Sequence, residues 1–229
     1  TVISCLKKDG IFNIITSKGA YQATNVIVAT GFYDIPMPLN VPGELLSKVS
    51  HYYTDPHYYA NQNVVVVGAS NSSIDAALET YRKGAKVTLV VRSNEISNRV
   101  KYWVKPDIEN RIAAGEIEVL YNSNITEITP QNVFIATPSG ITCLPNDFVL
   151  ALTGYKPNFD LLASFGINLD PENALIPEHN LDTMETNIPN LYLAGVVCGG
   201  LNTHLWFIEN SRIHADQIIS TIIQRKSTL

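Results

Sequence analysis

An α/β fold is predicted by three features of the 229-residue sequence. From Val64 to Ala77 the stretch VVVVGASNSSIDAA puts four valines ahead of a glycine and a segment with helical spacing. The next stretch, AKVTLVVRS, returns to a strand, so strand, helix and strand succeed one another as a βαβ unit. Short β-branched runs punctuated by Gly, Asp and Ser lie on either side of it, the pattern of β-meanders.

Taken in order, VISCL, IFNIIT and NVIVAT read as strands separated by the turns KKDG and SKGA, a meander feeding a buried strand. Residues 33–59 carry Pro36, Pro38, Pro42 and Pro56 among many aromatics, which suits a connector and a domain boundary. NVVVVG then opens the βαβ unit. In its helix, NSSIDAALETYRKG, residues Ile74, Ala77, Leu78 and Tyr81 form one apolar stripe, and Gly84 closes it. The flanking strands hold too few polar positions for a half-exposed sheet, so parallel strands covered on both faces are expected.

A second helix is expected over 106–114, with Pro106 near its start, Gly115 at its end and the strand IEVLY after it. NITEIT, NVFIAT and GITCL make a second meander, followed by the apolar strand DFVLAL. The tail predicts a helix over 159–165, a strand NLYLAG, and a helix over 204–224 offering Ile208, Ile218, Ile219 and Ile222 for burial. NVIVATGFYDIP and DFVLALTGYKPN both end an apolar strand in Thr-Gly-aromatic after a meander, which suggests two related modules.

A chain that is 45% hydrophobic and 16% charged is built to bury a core. Its net charge of -5 argues against nucleic-acid binding, which needs a concentrated basic surface. No apolar run reaches the roughly 20 residues of a membrane span, and residues 1–20 lack a signal-peptide pattern, so a cytoplasmic protein is expected. Cys5, Cys143 and Cys198 are far apart and read as buried thiols, and the five histidines offer no ligand spacing, so no metal site is expected.

In the sequence G-x-G-x-x-G of a dinucleotide loop, the first glycine turns the chain, the second admits the pyrophosphate and the third lets helix and strand pack. Here Gly68 keeps the first role and Ser70 and Ser73 stand at the other two, within Gly68, Ala69, Ser70, Asn71, Ser72 and Ser73. A serine still allows close approach, and Ser70 or Asn71 caps a helix whose amides attract an anion. The loop alone reads equally well as a capped helix that binds nothing. The next strand ends on Arg92 with no carboxylate before Glu95, at the place where an acid selects NAD and an arginine accommodates the 2′-phosphate of NADP. NADPH is therefore the expected coenzyme, with Arg92 first and Arg99 and Lys101 as further candidates. A solvated strand end is the alternative for Arg92.

VATGFYDIP, VPGE, KVSHYY, VVVVGASNSSIDAALE, GAKVTLVVR, NDFVLALTGYKP, METN, LYLAGVVCGG and FIEN occur in this order over nearly the whole chain. They resemble the bacillithiol-disulfide-reductase-like flavoproteins, relatives of thioredoxin reductase. The resemblance implies a Rossmann-like NADPH-binding domain inserted into an FAD-binding domain with a β-meander. The expected boundaries are 1–50 for the first FAD segment, 51–155 for the NADPH domain and 156–229 for the second FAD segment. It also implies that Ala29, Thr30 and Gly31 bear on FAD, that Gly195 and Val196 lie near the flavin ribityl chain, and that Thr153 and Gly154 lie near the nicotinamide.

The resemblance departs at two places: the family's first FAD βαβ unit, with its glycine loop and nearby reactive cysteine, has no match here, and neither has the Cys-x-x-Cys of thioredoxin reductase. The FAD domain is accordingly expected to be incomplete, and FAD binding by this chain alone is left open. Cys198 is expected close to the flavin, either as a redox thiol or as a small buried hydrophobe. Glu209, Asn210 and His214 are expected on a helix near it, or on a solvated face. The implied reaction moves hydride from NADPH to FAD and on to the disulfide of a low-molecular-weight thiol, a small-molecule partner. A homo-oligomer is compatible with this reading. A flavin monooxygenase-like enzyme and a non-catalytic NADPH-binding module are the alternatives.

Overall fold

The computed structural model describes residues 1–227. The chain forms two compact units, one of Thr1–Pro36 with the chain from Tyr155 onward, the other Met37–Gly154. The first unit opens with an antiparallel sheet of β1 (Val2–Lys8), β2 (Ile11–Thr16) and β3 (Gly19–Ala23). Lys8 pairs with Ile11 across Asp9 and Gly10, both at positive φ (50° and 83°), the tight hairpin that an Asp-Gly pair favours. β3 falls where a turn was expected: only Ala23 is even partly buried, so the strand shows no apolar face to read. β4 (Val26–Val28) and β5 (Ile35–Pro36) complete this segment.

In the second unit come β6 (Val49–Ser50), a 3₁₀ turn at Pro56–Tyr59, β7 (Asn63–Val67), α1 (Asn71–Arg82), β8 (Lys86–Val90), α2 (Lys105–Ala113) and β9 (Glu118–Leu120). The meander β10 (Asn124–Ile128), β11 (Asn132–Thr137) and β12 (Gly140–Pro145) precedes β13 (Phe148–Ala151). A five-stranded parallel sheet runs β6-β13-β7-β8-β9. Val64, Val66, Val87, Leu89 and Leu150 pack with Ile74, Ala77 and Leu78 of α1 and Ile108 of α2. Val65, Val67, Val90 and Val149 point the other way, onto Ile125, Val133 and Ile135 of the meander. Each such buried Val, Leu or Ile contributes roughly 1.5–3 kcal/mol. The sheet is covered on both faces as expected, by helices on one and a second sheet on the other.

The unit begins at Met37, ahead of the expected boundary at 51, and ends at Gly154. Leu39, Val41, Leu46 and Val49 pack on its meander-side core, and Val49–Ser50 forms the edge strand. From Met37 onward the proline-rich connector is thus part of this unit, irregular along most of its length.

The first unit resumes with β14 (Tyr155–Lys156), α3 (Phe159–Ser164), β15 (Leu169–Asp170), β16 (Ile176–Pro177), β17 (Leu191–Leu193), a 3₁₀ turn at Gly195–Gly199, α4 (Ile208–Ser211) and α5 (Ile213–Ser227). β17 pairs parallel with β4, and β14 antiparallel with β5. Phe32 and Tyr155, the aromatic residues of the two Thr-Gly echoes, meet edge to face at 6.4 Å. The helix expected over 204–224 starts later and is divided at Arg212. Ile218 is buried and Ile222 packs against the core, whereas Ile208 and Ile219 are exposed. Cys5 and Cys198 are buried, but Cys143 on β12 is exposed. Among the described residues no helix is long and apolar enough to cross a membrane, and no cluster of residues could hold a metal ion.

Candidate functional site

The chain leaves β7 for β8 on one side and returns through β13 on the other, so the strand order reverses between β7 and β13. Ligands of open α/β sheets bind outside the carboxyl ends of the strands at such a point. Gly68 stands there at φ +132°, and a Cβ on it would lie 2.7 Å from the Leu152 carbonyl oxygen and 3.0 Å from Ser73. Its N–H donates to the carbonyl of Val90, at the end of β8. Ser73 is buried, accepts from the Ser70 N–H at 3.0 Å and donates to the Ser70 carbonyl at 2.8 Å. It fills the third position of the loop, where a larger side chain would separate helix from strand.

Ser70 is the N-cap of α1, and the first turn holds no acidic residue, so the positive end of the helix dipole is not offset. Ser70 and Ser72 are exposed. Asn71 is turned away: its Nδ2 donates to the Arg99 carbonyl (3.0 Å) and its Oδ1 accepts from the Lys101 N–H (2.9 Å). The Ser97 N–H donates to the Ala69 carbonyl, so residues 97–101 fold back onto the loop. Arg92 and Arg99 are exposed, and among the described residues their guanidinium groups make no hydrogen bond or ion pair. Lys101 is held by Asp75 at 3.1 Å and is the least available of the three cations.

Thr153 follows Leu152, whose N–H donates to the Val67 carbonyl, so it too lies at this end of the sheet. Its hydroxyl donates to the Met37 carbonyl (2.6 Å), and the Met37 N–H donates to the Gly154 carbonyl (2.9 Å). Gly68 to Ser73, Arg92, Arg99, Thr153 and Gly154 are therefore brought to one edge of one unit.

In the first unit, Ala29, Thr30 and Gly31 leave the carboxyl end of β4 while Gly195 and Val196 leave the neighbouring end of β17. The Ala194 N–H donates to the Val28 carbonyl, which sets the two loops side by side. Gly31, Gly154 and Gly195 have φ of +72°, +100° and +79°, and where a Cβ would stand each meets open space. Such positions suit the close backbone approach of a dinucleotide or flavin.

His214, which the sequence left open to a solvated face, is buried and its Nδ1 accepts the Gly195 N–H at 3.1 Å. Burial, with His179 nearby, lowers its pKa and keeps it neutral. Cys198 lies 3.9 Å from the same nitrogen; burial pushes its thiol up to about 12, so it holds its proton and packs as a small hydrophobe. The bridging role of Asn71 and the acceptor role of His214 join residues distant in sequence, and no local pattern signals either.

The model of the family "Pyridine nucleotide-disulphide oxidoreductase" matches residues 1–195. The chain is 40% identical over 221 residues to "Bacilliredoxin reductase Bdr" of Bacillus subtilis (strain 168), covering 96% of itself and 68% of that relative. Among solved structures it is similar to "Bacillithiol Disulfide Reductase Bdr (YpdA)" from Bacillus cereus, with a TM-score of 0.94 and 39% identity. The protein of the same title from Staphylococcus aureus gives 0.95 and 36%; in both, 98% of this chain covers 70% of the structure. A family match over residues 1–195 places the chain among the pyridine nucleotide-disulphide oxidoreductases, and it is an oxidoreductase.

Proposed function

We propose that this chain serves an NADPH-dependent flavoprotein reductase whose substrate is the disulfide of a low-molecular-weight thiol of the bacillithiol type. The observation that carries the coenzyme choice is the pair of guanidinium groups, Arg92 and Arg99, that have no ion-pair partner among the described residues and lie beside the start of α1 at the strand-order reversal. Ser70 and the first-turn amides would hold the pyrophosphate, and Ser73 holds the turn. Gly154 gives the nicotinamide end room to approach, and Thr153 fixes the backbone beside it through Met37. Gly31 and Gly195 offer their backbone to FAD, with His214 holding the Gly195 turn. When bound, the two cofactors supply hydride transfer from nicotinamide to flavin and from there to the disulfide; the protein supplies orientation and electrostatics.

The relatives' names point to a small disulfide in one case and to bacilliredoxin in the other. The first experiment is the visible absorption spectrum of the purified chain before and after anaerobic addition of NADPH. A flavin band that bleaches, followed by NADPH oxidation with bacillithiol disulfide, is the expected result. A colourless protein that binds NADPH would leave a non-catalytic nucleotide module, and oxidation only in the presence of a bacilliredoxin would move the substrate from small molecule to protein.

A further inference from the structure

Coenzyme choice in this fold is usually assigned to the charged residue at the end of the second strand, here Arg92. The structure adds a second cation by a different route. Residues 96–101 form a strap across the mouth of the glycine loop, anchored by the buried side chains of Ile96 and Val100. Its polar ties are Ser97 N–H to the Ala69 carbonyl, Lys101 Nζ to Asp75, and the two-sided bridge from Asn71. That bridge uses the carboxamide as a short piece of β-ladder, donating to the carbonyl of Arg99 and accepting from the N–H of Lys101. Arg99 is clamped between these bonds while its own guanidinium stays exposed and unpaired among the described residues.

We infer that Asn71 is a specificity-positioning residue: it does not touch the coenzyme but fixes the backbone of Arg99 so that the guanidinium meets a 2′-phosphate. This rests on reading the Gly68–Ser73 loop as the NADPH site. A guanidinium on a mobile loop loses side-chain and backbone freedom when it binds, and that cost is subtracted from affinity. Here the bridge fixes the backbone before ligand arrives. Only a ligand carrying the extra phosphate gains from it, because NADH presents nothing to Arg99.

The test is titration of the full chain with NADPH and with NADH, by calorimetry, for the wild type, Asn71→Ala, Arg99→Ala and the double variant. Arg99→Ala is expected to weaken NADPH about ten-fold or more with NADH within about two-fold. Asn71→Ala is expected to reproduce a several-fold part of that selective loss and to add nothing in the Arg99→Ala background, because coupled residues are non-additive. Equal weakening of both coenzymes by Asn71→Ala, or full additivity in the double variant, overturns the inference, since either would make Asn71 a structural helix-start residue. Should Asn71→Ala not fold, Asn71→Ser keeps a residue suited to a helix start but is too short for the bridge, and the same selective loss is required of it. A wild-type chain without preference for NADPH overturns the site reading itself, a result told apart from the first because it needs no variant.

Discussion

Arg92 lies two residues beyond Val90, the last residue of β8, whose carbonyl accepts the Gly68 N–H, and its exposed guanidinium has no hydrogen-bond or ion-pair partner among the described residues. Removing it as Arg92→Ala is expected to weaken NADPH by about 1.5–3 kcal/mol, the range for a charged hydrogen bond, and to leave NADH nearly unchanged in a calorimetric titration. A second residue-scale prediction concerns acid. The Glu185 carboxylate takes a hydrogen bond from Arg225 (Nη2 to Oε2, 2.7 Å) and another from the Asn190 N–H (2.7 Å), which hold its pKa below the ordinary value. A depressed folded pKa means stability that is full above the unfolded value of 4.5 and is lost as pH falls through the folded one. Urea melts of the wild type should therefore lose stability below that pH, and Arg225→Ala should flatten the loss. At this scale Gly68 and Ser73 were legible because their work is local: a turn, and a small side chain at a helix–strand contact. Asn71 was not, because its partners, Arg99 and Lys101, lie on the far side of α1 and β8 in the chain.

α5 separates burial from hydrophobicity. Ile218 is 1% exposed and Ile219 49% exposed, although both are equally apolar. Ile218→Ala is expected to cost about 2–5 kcal/mol through the cavity it leaves, and Ile219→Ala no more than about 0.5 kcal/mol, both read from urea midpoints. A comparable loss at Ile219 would mean that its face is covered in solution. The isoleucine pattern announced a helix but not its packed side: at 3.6 residues per turn Ile208, Ile218, Ile219 and Ile222 fall on one broad stripe, yet the helix is divided at Arg212 and only Ile218 and Ile222 reach the core. α1 had one apolar stripe and was read correctly from Ile74 to Tyr81, and α2, expected over 106–114, was read to within a residue at each end. β3 escaped because GAYQA carries neither alternation nor β-branched residues; Phe12–Ala23 and Ile14–Tyr21 pairing with β2 makes it a strand. Propensity decides little where a neighbouring strand supplies the hydrogen bonds.

Over the whole molecule, the parallel sheet and its two covers were legible from valine-rich runs, and the division of the chain at 36/37 and 154/155 falls in the connector 33–59 and beside the second Thr-Gly turn. The prolines of residues 33–59 marked the break between the units, and side-chain packing of Leu39, Val41 and Leu46 adds the part from Met37 onward to the second unit. Because Met37–Gly154 is continuous and has its own cores, it is expected to fold cooperatively when expressed alone, with a single sigmoidal urea transition by circular dichroism. The first unit has no such independence, since β4 must find β17 across the entire second unit. The bond between Met37 and Gly154, with Ile35–Pro36 paired to Tyr155–Lys156 just beyond it, means that the second unit enters and leaves the chain at one place. Once folded, it shortens the loop the first unit must close from roughly a hundred residues to a few, which lowers the entropic cost by about 3 kcal/mol. Folding should therefore be ordered and its coupling one-sided: Ile74→Ala in the second unit weakens hydrogen-exchange protection in both units, while Ile218→Ala in the first leaves the second protected.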